Sequence, residues 1–132
     1  MDPRPYQPCD RDACLALADA PTPEFAAFLG NPANCTVLEH DGRVVGCGGF
    51  LISGNSAILI HGVIHRDFRR MGLGRFLLLY RLRQISQSAE FARVSCPPQF
   101  APFYEKQGFR SQTDCRTGQT LVELVMKLKV CP

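Results

Sequence analysis

The sequence predicts an α/β chain: a mixed, mostly antiparallel sheet of about six to seven strands flanked by about four helices. Three observations predict it. Apolar and β-branched runs between Cys35 and Ile64 are separated by two tight-turn signals, Asp41-Gly42 and Gly54-Asn55, which is the pattern of an antiparallel meander. The run Ala57–Ile64 leads through a polar loop with Gly72 and Gly74 into a strongly apolar segment, Arg75–Ala89, too long for a strand. A further short apolar run, Phe91–Cys96, and two last runs around Thr117-Gly118 then complete the sheet.

Taken in order, Arg4–Tyr6 reads as a first strand. Asp10 is a suitable N-cap for a helix over Arg11–Asp19, with Cys14, Leu17 and Ala18 on one face. Pro21 and Pro23 stop it, and Thr22-Pro23 reads as the cap and first residue of a second helix. Phe25, Phe28 and Leu29 share that helix's inner face, and Gly30 ends it. Cys35–His40 and Arg43–Phe50 form a hairpin over Asp41-Gly42, and Ala57–Ile64 is the third strand. The helix containing Phe76-Leu77-Leu78-Leu79-Tyr80 is apolar nearly all round, so it should be buried against the sheet. Pro102–Lys106 is a short helix ending at Gly108. Phe109–Arg116 and Gln119–Val130 make the last hairpin. The order is βααβββαβαββ.

A chain of 132 residues fits one domain, 1–132, and can bury about two thirds of its unfolded surface without staples. Its 45% hydrophobic and 20% charged content are those of an ordinary globule. A net charge of +3 and the lack of tryptophan argue against a nucleic-acid binder. No apolar run approaches the ~18 residues of a membrane span, and no signal peptide opens the chain. The seven cysteines form no C-x-x-C, so no metal site is expected, and they read mainly as small core hydrophobes with reduced thiols in a cytoplasmic protein.

Chemistry concentrates between Val63 and Arg75. Glycines there let the backbone approach a ligand closely. The helix start behind them offers N–H groups and the positive end of a dipole, a ready site for phosphate. From Val63 to Arg83, Arg66, Arg69, Arg70, Arg75, Arg81 and Arg83 face a single acid, Asp67. No Lys follows Gly74 as a P-loop requires, and no third glycine completes a dinucleotide fingerprint.

Arg69-Arg70-Met71-Gly72-Leu73-Gly74 fits R-x-x-G-x-G and resembles the pyrophosphate loop of the GNAT superfamily of N-acetyltransferases. Ile64-His65-Arg66-Asp67-Phe68 precedes it, similar to the family's Val-His-Pro-Asp-Tyr. Ala101-Pro102-Phe103-Tyr104-Glu105-Lys106-Gln107-Gly108-Phe109 resembles the family's second signature. Arg4-Pro5-Tyr6 followed by Asp10 is a common family opening. The resemblance implies a GNAT fold splayed at the strand before the loop. It implies acetyl-CoA as cofactor, with CoA as product, bound by Val63, Ile64, Arg69, Arg70, Met71, Gly72, Leu73, Gly74 and Arg75. Met71 and Leu73 would contribute N–H groups rather than side chains. It implies direct transfer to a primary amine of a small molecule or peptide, by a monomer or homodimer.

Tyr104 is the leading catalytic candidate: the resemblance places a tyrosine there to protonate the leaving thiolate, and a phenol keeps its proton at neutral pH. His61 is the candidate base, since imidazole titrates near neutrality; a packed core histidine is the competing reading. Ile58 and Ile60 stand where several family members carry acids or histidines, and Pro98 stands where many carry an asparagine that contacts the cofactor. Those departures keep a second reading open, a non-catalytic acyl-CoA-binding module of the same fold. Cys96 as an acyl carrier is disfavoured, because a lone thiol is usually a core residue.

Overall fold

The structure, a computed structural model, describes residues 2–32, 34–112 and 121–128. The elements are β1 (Asp2–Pro5), α1 (Arg11–Leu15), α2 (Pro23–Gly30), β2 (Cys35–His40), β3 (Arg43–Ser53), β4 (Ser56–Ile64), α3 (Leu73–Ile85), β5 (Phe91–Cys96), α4 (Ala101–Glu105), β6 (Arg110–Ser111) and β7 (Val122–Lys127). The order βααβββαβαββ is the expected one. Single 3₁₀ turns add Pro8–Asp10, Arg66–Phe68 and Pro98–Phe100. The sheet runs β1-β2-β3-β4-β5-β7-β6.

The chain divides into two compact units, Met1–Leu51 with Ile60–Arg83, and Ile52–Leu59 with Gln84–Pro132. In the first, β1 pairs antiparallel with β2, and β2 with β3. The β2–β3 turn is of type I′, with Asp41 at φ 50° and Gly42 at φ 75°; its twist matches that of the flanking strands. One apolar cluster gathers Cys14, Leu17, Phe25, Leu29, Val37 and Cys47. Another gathers Leu38, Val45 and Leu77, with Ile64, Phe68 and Leu73 at its edge. Thr22 caps α2 as expected: its hydroxyl accepts the Phe25 N–H at 3.1 Å.

Three glycines in β3 permit close packing that a side chain would block. A Cβ on Gly49 would collide with the Phe28 ring, and one on Gly48 would stand 3.0 Å from the Arg81 guanidinium.

In the second unit, β4 and β5 run parallel, with Ser56, Ala57 and Ile58 beside Phe91, Ala92 and Arg93; β4 then continues to Ile64. β7 pairs antiparallel with both β5 and β6. Ala57, Leu59, Ile85, Ala92, Val94, Phe109 and Leu124 are buried.

Several expectations need correction. α1 ends at Leu15 rather than Asp19, because its last turn tightens into i→i−3 bonds (Leu17 N–H to Cys14 O, 3.1 Å) well before Pro21. Asp10 does not cap it. Its carboxylate is taken by Arg4 (2.8 and 2.9 Å) and by the Gln7 N–H (2.8 Å). α3 begins at Leu73 and stops at Ile85, and it is not apolar all round in effect: Phe76 and Leu79 are each 40% exposed, while Arg81 is 4% exposed. α4 begins at Ala101 and ends at Glu105 rather than running from Pro102 to Lys106. β6 covers Arg110–Ser111 of the strand expected over Phe109–Arg116, of which 113–116 lie outside the described residues. The turn at Thr117-Gly118, Cys115 and Cys131 lie outside the described residues.

Candidate active site

The first unit carries most of the predicted site residues. β4 changes character near its end. His61 has φ 53°, a left-handed conformation that costs a residue with a Cβ and departs from regular strand geometry. Its ring lies 5.4 Å from Phe25 and 5.0 Å from Phe28, tilted against both. Burial pushes the imidazole below its usual pKa, with Glu24 acting weakly the other way. His61 is therefore a neutral imidazole at neutral pH, packed on two aromatic rings.

Past His61 the strand delivers Val63 and Ile64, both half-buried, into the loop. The His65 N–H donates to Val45 O at 2.8 Å. Its Nδ1 accepts the Asp67 N–H at 3.1 Å and so caps the 3₁₀ turn Arg66–Phe68, while its Nε2 lies 3.1 Å from an Arg43 nitrogen. His65 holds the loop rather than facing a reactant. The Phe68 ring anchors the turn, edge-on to His40 and His65, with the Arg43 guanidinium 5.7 Å above it.

Arg69 Nε donates to Ile64 O at 3.0 Å, which closes the loop onto the end of β4. Arg70 (φ 65°) and Gly72 (φ 80°) are both left-handed. Arg69, Arg70, Met71 and Gly72 are exposed, and a Cβ on Gly72 would meet nothing within 4 Å, so open space adjoins the backbone there. The Phe76 N–H to Gly72 O bond (3.0 Å) starts the helical ladder. The first-turn N–H groups of Leu73, Gly74 and Arg75 therefore stand at the positive end of a 13-residue helix. Phosphate oxygens fit this arrangement: a backbone without side-chain obstruction, a helix start, and arginines at the rim.

Tyr104 belongs to the second unit. It sits on α4, half-buried, with its ring edge-on to Phe103 (5.1 Å) and Phe109 (5.6 Å). Gly108 at φ 106° turns the chain after α4, and the Phe109 N–H returns to Tyr104 O at 3.2 Å. Cys96 is buried, and burial pushes its thiol above the usual pKa, which suits a packing role.

Two features escaped the sequence. Cys47 hydrogen-bonds to Cys14 and Cys35, which raises its pKa and keeps it a thiol. The Cys35 thiol is lowered, first by that bond from Cys47 and also by the charge of Arg81. Arg81 itself was counted with the loop arginines but lies inside. Its signal was present: an arginine between Tyr80 and Leu82 on an apolar helix, opposite a strand with Gly46, Gly48 and Gly49. Among the described residues no group of three or more His, Cys, Asp or Glu could hold a metal ion, and no helix is long and apolar enough to cross a membrane.

A strand with a left-handed residue near its end, an arginine-rimmed Gly-x-Gly turn and a helix start together form an arrangement suited to a phosphorylated ligand. Comparison with known proteins identifies the family. Residues 31–111 match the model of the acetyltransferase (GNAT) domain. The sequence matches no curated protein closely. Among solved structures, the ribosomal-protein-S18-alanine N-acetyltransferase of Escherichia coli superposes with TM-score 0.78 at 19% identity, over 98% of this chain and 93% of that one. The PaiA N-acetyltransferase of Thermoplasma acidophilum, in complex with coenzyme A, gives 0.75 at 15% identity, over 96% and 98%. N-acetylglutamate synthase of Neisseria gonorrhoeae, complexed with coenzyme A and N-acetyl-glutamate, gives 0.79 at 16% identity; it is matched over 97% of this chain but 35% of that one. These likenesses show a shared fold. The chain belongs to the GNAT acetyltransferase family, a family of acyltransferases.

Proposed function

We propose that this chain, as one domain over residues 1–132, transfers an acetyl group from acetyl-CoA to a primary amine of a small molecule or peptide in the cytoplasm. The observation that carries the reading is the loop Arg69–Arg75, with open space beside a left-handed Gly72 and the start of α3 behind it. The cofactor supplies a thioester whose carbonyl carbon an amine can attack; the C–N bond forms as the C–S bond breaks. Arg69 or Arg70, with the N–H groups of Met71, Gly72, Leu73, Gly74 and Arg75, would hold the pyrophosphate. The N–H groups of Val63 and Ile64 would hold the thioester and pantetheine, which supplies positioning and charge stabilisation. Tyr104 would give its proton to the departing sulfur. His61, neutral and beside Val63 in sequence, would take the proton of the attacking amine, directly or through water. The unpaired thiols of Cys9, Cys14, Cys35, Cys47 and Cys96 fit a reducing compartment.

The test is turnover of acetyl-CoA against an amine panel, read by release of free thiol. With an accepted amine, Tyr104→Phe should lower kcat about 10² to 10⁴ fold with little change in KM, the range of general acid catalysis. Full activity of Tyr104→Phe at several pH values would reduce this tyrosine to packing. Failure of the wild-type protein to bind millimolar acetyl-CoA would overturn the whole reading.

A further inference from the structure

Arg81 is 4% exposed and lies two helical turns into α3 from the loop. Its Nη1 donates to Gly49 O at 3.0 Å and to Ile60 O at 3.4 Å, so one guanidinium reaches both β3 and β4. The group lies against two glycines, one on each strand. A Cβ on Gly48 would stand 3.0 Å from its carbon and Nη1, and a Cβ on Gly62 would stand 2.9 Å from its Nη2. The residue between the held carbonyl of Ile60 and the guanidinium-facing Gly62 is His61, whose φ of 53° is left-handed. A strand carbonyl normally bonds a neighbouring strand's N–H; here a side chain from the helix reaches it, one residue before the backbone turns left-handed.

We propose that Arg81 is a positioning residue: by holding the Ile60 carbonyl between Gly48 and Gly62 it fixes the left-handed turn of the backbone at His61, and so the aim of the Val63 and Ile64 N–H groups at the acetyl thioester. The inference rests on the reading that those two residues hold the thioester. One helix thereby sets both ends of the cofactor site. Its N-terminus presents Gly72 to Gly74, and Arg81 pins the strand that carries Val63 and Ile64. Arginine suits this work because Nη1 can serve both carbonyls while the rest of the planar guanidinium fills the space beside the two glycines; lysine offers a single compact ammonium.

The test reads the bound thioester directly and needs no acceptor amine. Acetyl-CoA labelled with ¹³C at the acetyl carbonyl is bound to the full chain, and the carbonyl stretch is measured by isotope-edited infrared spectroscopy. In the wild-type protein the stretch should fall relative to free acetyl-CoA, because N–H donors polarise the carbonyl. In Arg81→Met most of that fall should be lost, while calorimetric affinity for CoA stays close to wild type, since phosphate contacts are untouched. Arg81→Lys should restore part of it. Gly62→Ala keeps the arginine and displaces only its tip; it should lose part of the fall as well, and it decides alone if Arg81→Met does not fold. With an accepted amine, turnover of Arg81→Met should drop about 10²-fold at nearly unchanged KM, as a small misplacement of a reacting group does. A wild-type carbonyl stretch in both Arg81→Met and Gly62→Ala would overturn the positioning role. A wild-type protein that binds acetyl-CoA without any fall in the stretch would overturn the placement of the thioester on Val63 and Ile64, and the inference with it.

Discussion

Arg69 and Arg81 carry the same guanidinium, lie twelve residues apart in one strand–loop–helix segment, and meet opposite fates. Arg69 is exposed at the rim of the loop and spends one N–H on Ile64 O. Arg81 is buried and spends its Nη1 on Gly49 O and Ile60 O. A count of basic residues treats them alike. What separates them is helical phase: Arg81 shares the buried face of α3 with Leu77, Leu78, Leu82 and Ile85, whereas Arg75 and Arg83 fall on the exposed side. One arginine stands exposed at the loop; the other is buried against the backbone of two strands.

The largest expected effect falls on stability and on the buried member. Arg81→Met leaves the carbonyls of Gly49 and Ile60 without their charged donor. The loss should be about 3 kcal/mol, at 1–3 kcal/mol for each orphaned group, read from denaturant unfolding. A loss below about 0.5 kcal/mol, the ordinary range of a surface change, would erase the contrast.

Next comes the exposed pair. Arg69→Met combined with Arg70→Met should weaken acetyl-CoA binding about 10²-fold, the worth of one or two charge-assisted phosphate contacts, with an almost unchanged melting temperature. Equal affinity in the double variant would make these side chains a solvated charge run.

A third guanidinium sharpens the comparison. Arg4 holds the buried Asp10 carboxylate, and that bond lowers the carboxyl pKa below its usual value despite burial. The folded protein thus holds Asp10 ionised where an unfolded chain would bind a proton. Its contribution is full above the unfolded pKa of about 3.9 and is lost as pH falls through the lower folded value. Asp10→Asn should cost about 2 kcal/mol at neutral pH and flatten stability below about pH 4. An unchanged acid limb would show that the pair contributes nothing net.

The smallest effect concerns His61. Its folded pKa lies below the unfolded value of about 6.5, so the unfolded chain binds the extra proton and stability falls as pH drops below about 6.5. His61→Asn, which tolerates the left-handed backbone, should remove that slope. An imidazole that titrates by NMR at or above 6.5 would contradict the packed, neutral state.

Much of this was legible in the chain. Asp41-Gly42 announced a type I′ turn because few other pairs accept two positive φ values, and Thr22-Pro23 announced a capped helix start. Gly72 announced the loop for the same local reason, whereas Gly74 lies in the first turn of α3. Asp10 misled, because a residue suited to capping was claimed by Arg4, whose hold on it local sequence does not reveal. Arg81 misled for a tertiary reason: its partners are backbone carbonyls from two strands, and only the glycines across from it hint that something other than a methyl group fills the space. The acceptor amine has no local signature at all.

The claim that most else depends on is that the loop Arg69–Arg75 holds the cofactor by its pyrophosphate. Calorimetric titration of the wild-type protein and of Gly72→Val with CoA and with desulfo-CoA tests it most directly. The wild-type protein should bind both with similar affinity, because the thiol is remote from the contacts that dominate. Gly72→Val should lose both while remaining folded, since a branched side chain fills the open space beside the loop and cannot hold φ near 80° without strain. A Gly72→Val protein that binds CoA as the wild type does would contradict the account and move the pyrophosphate off this loop.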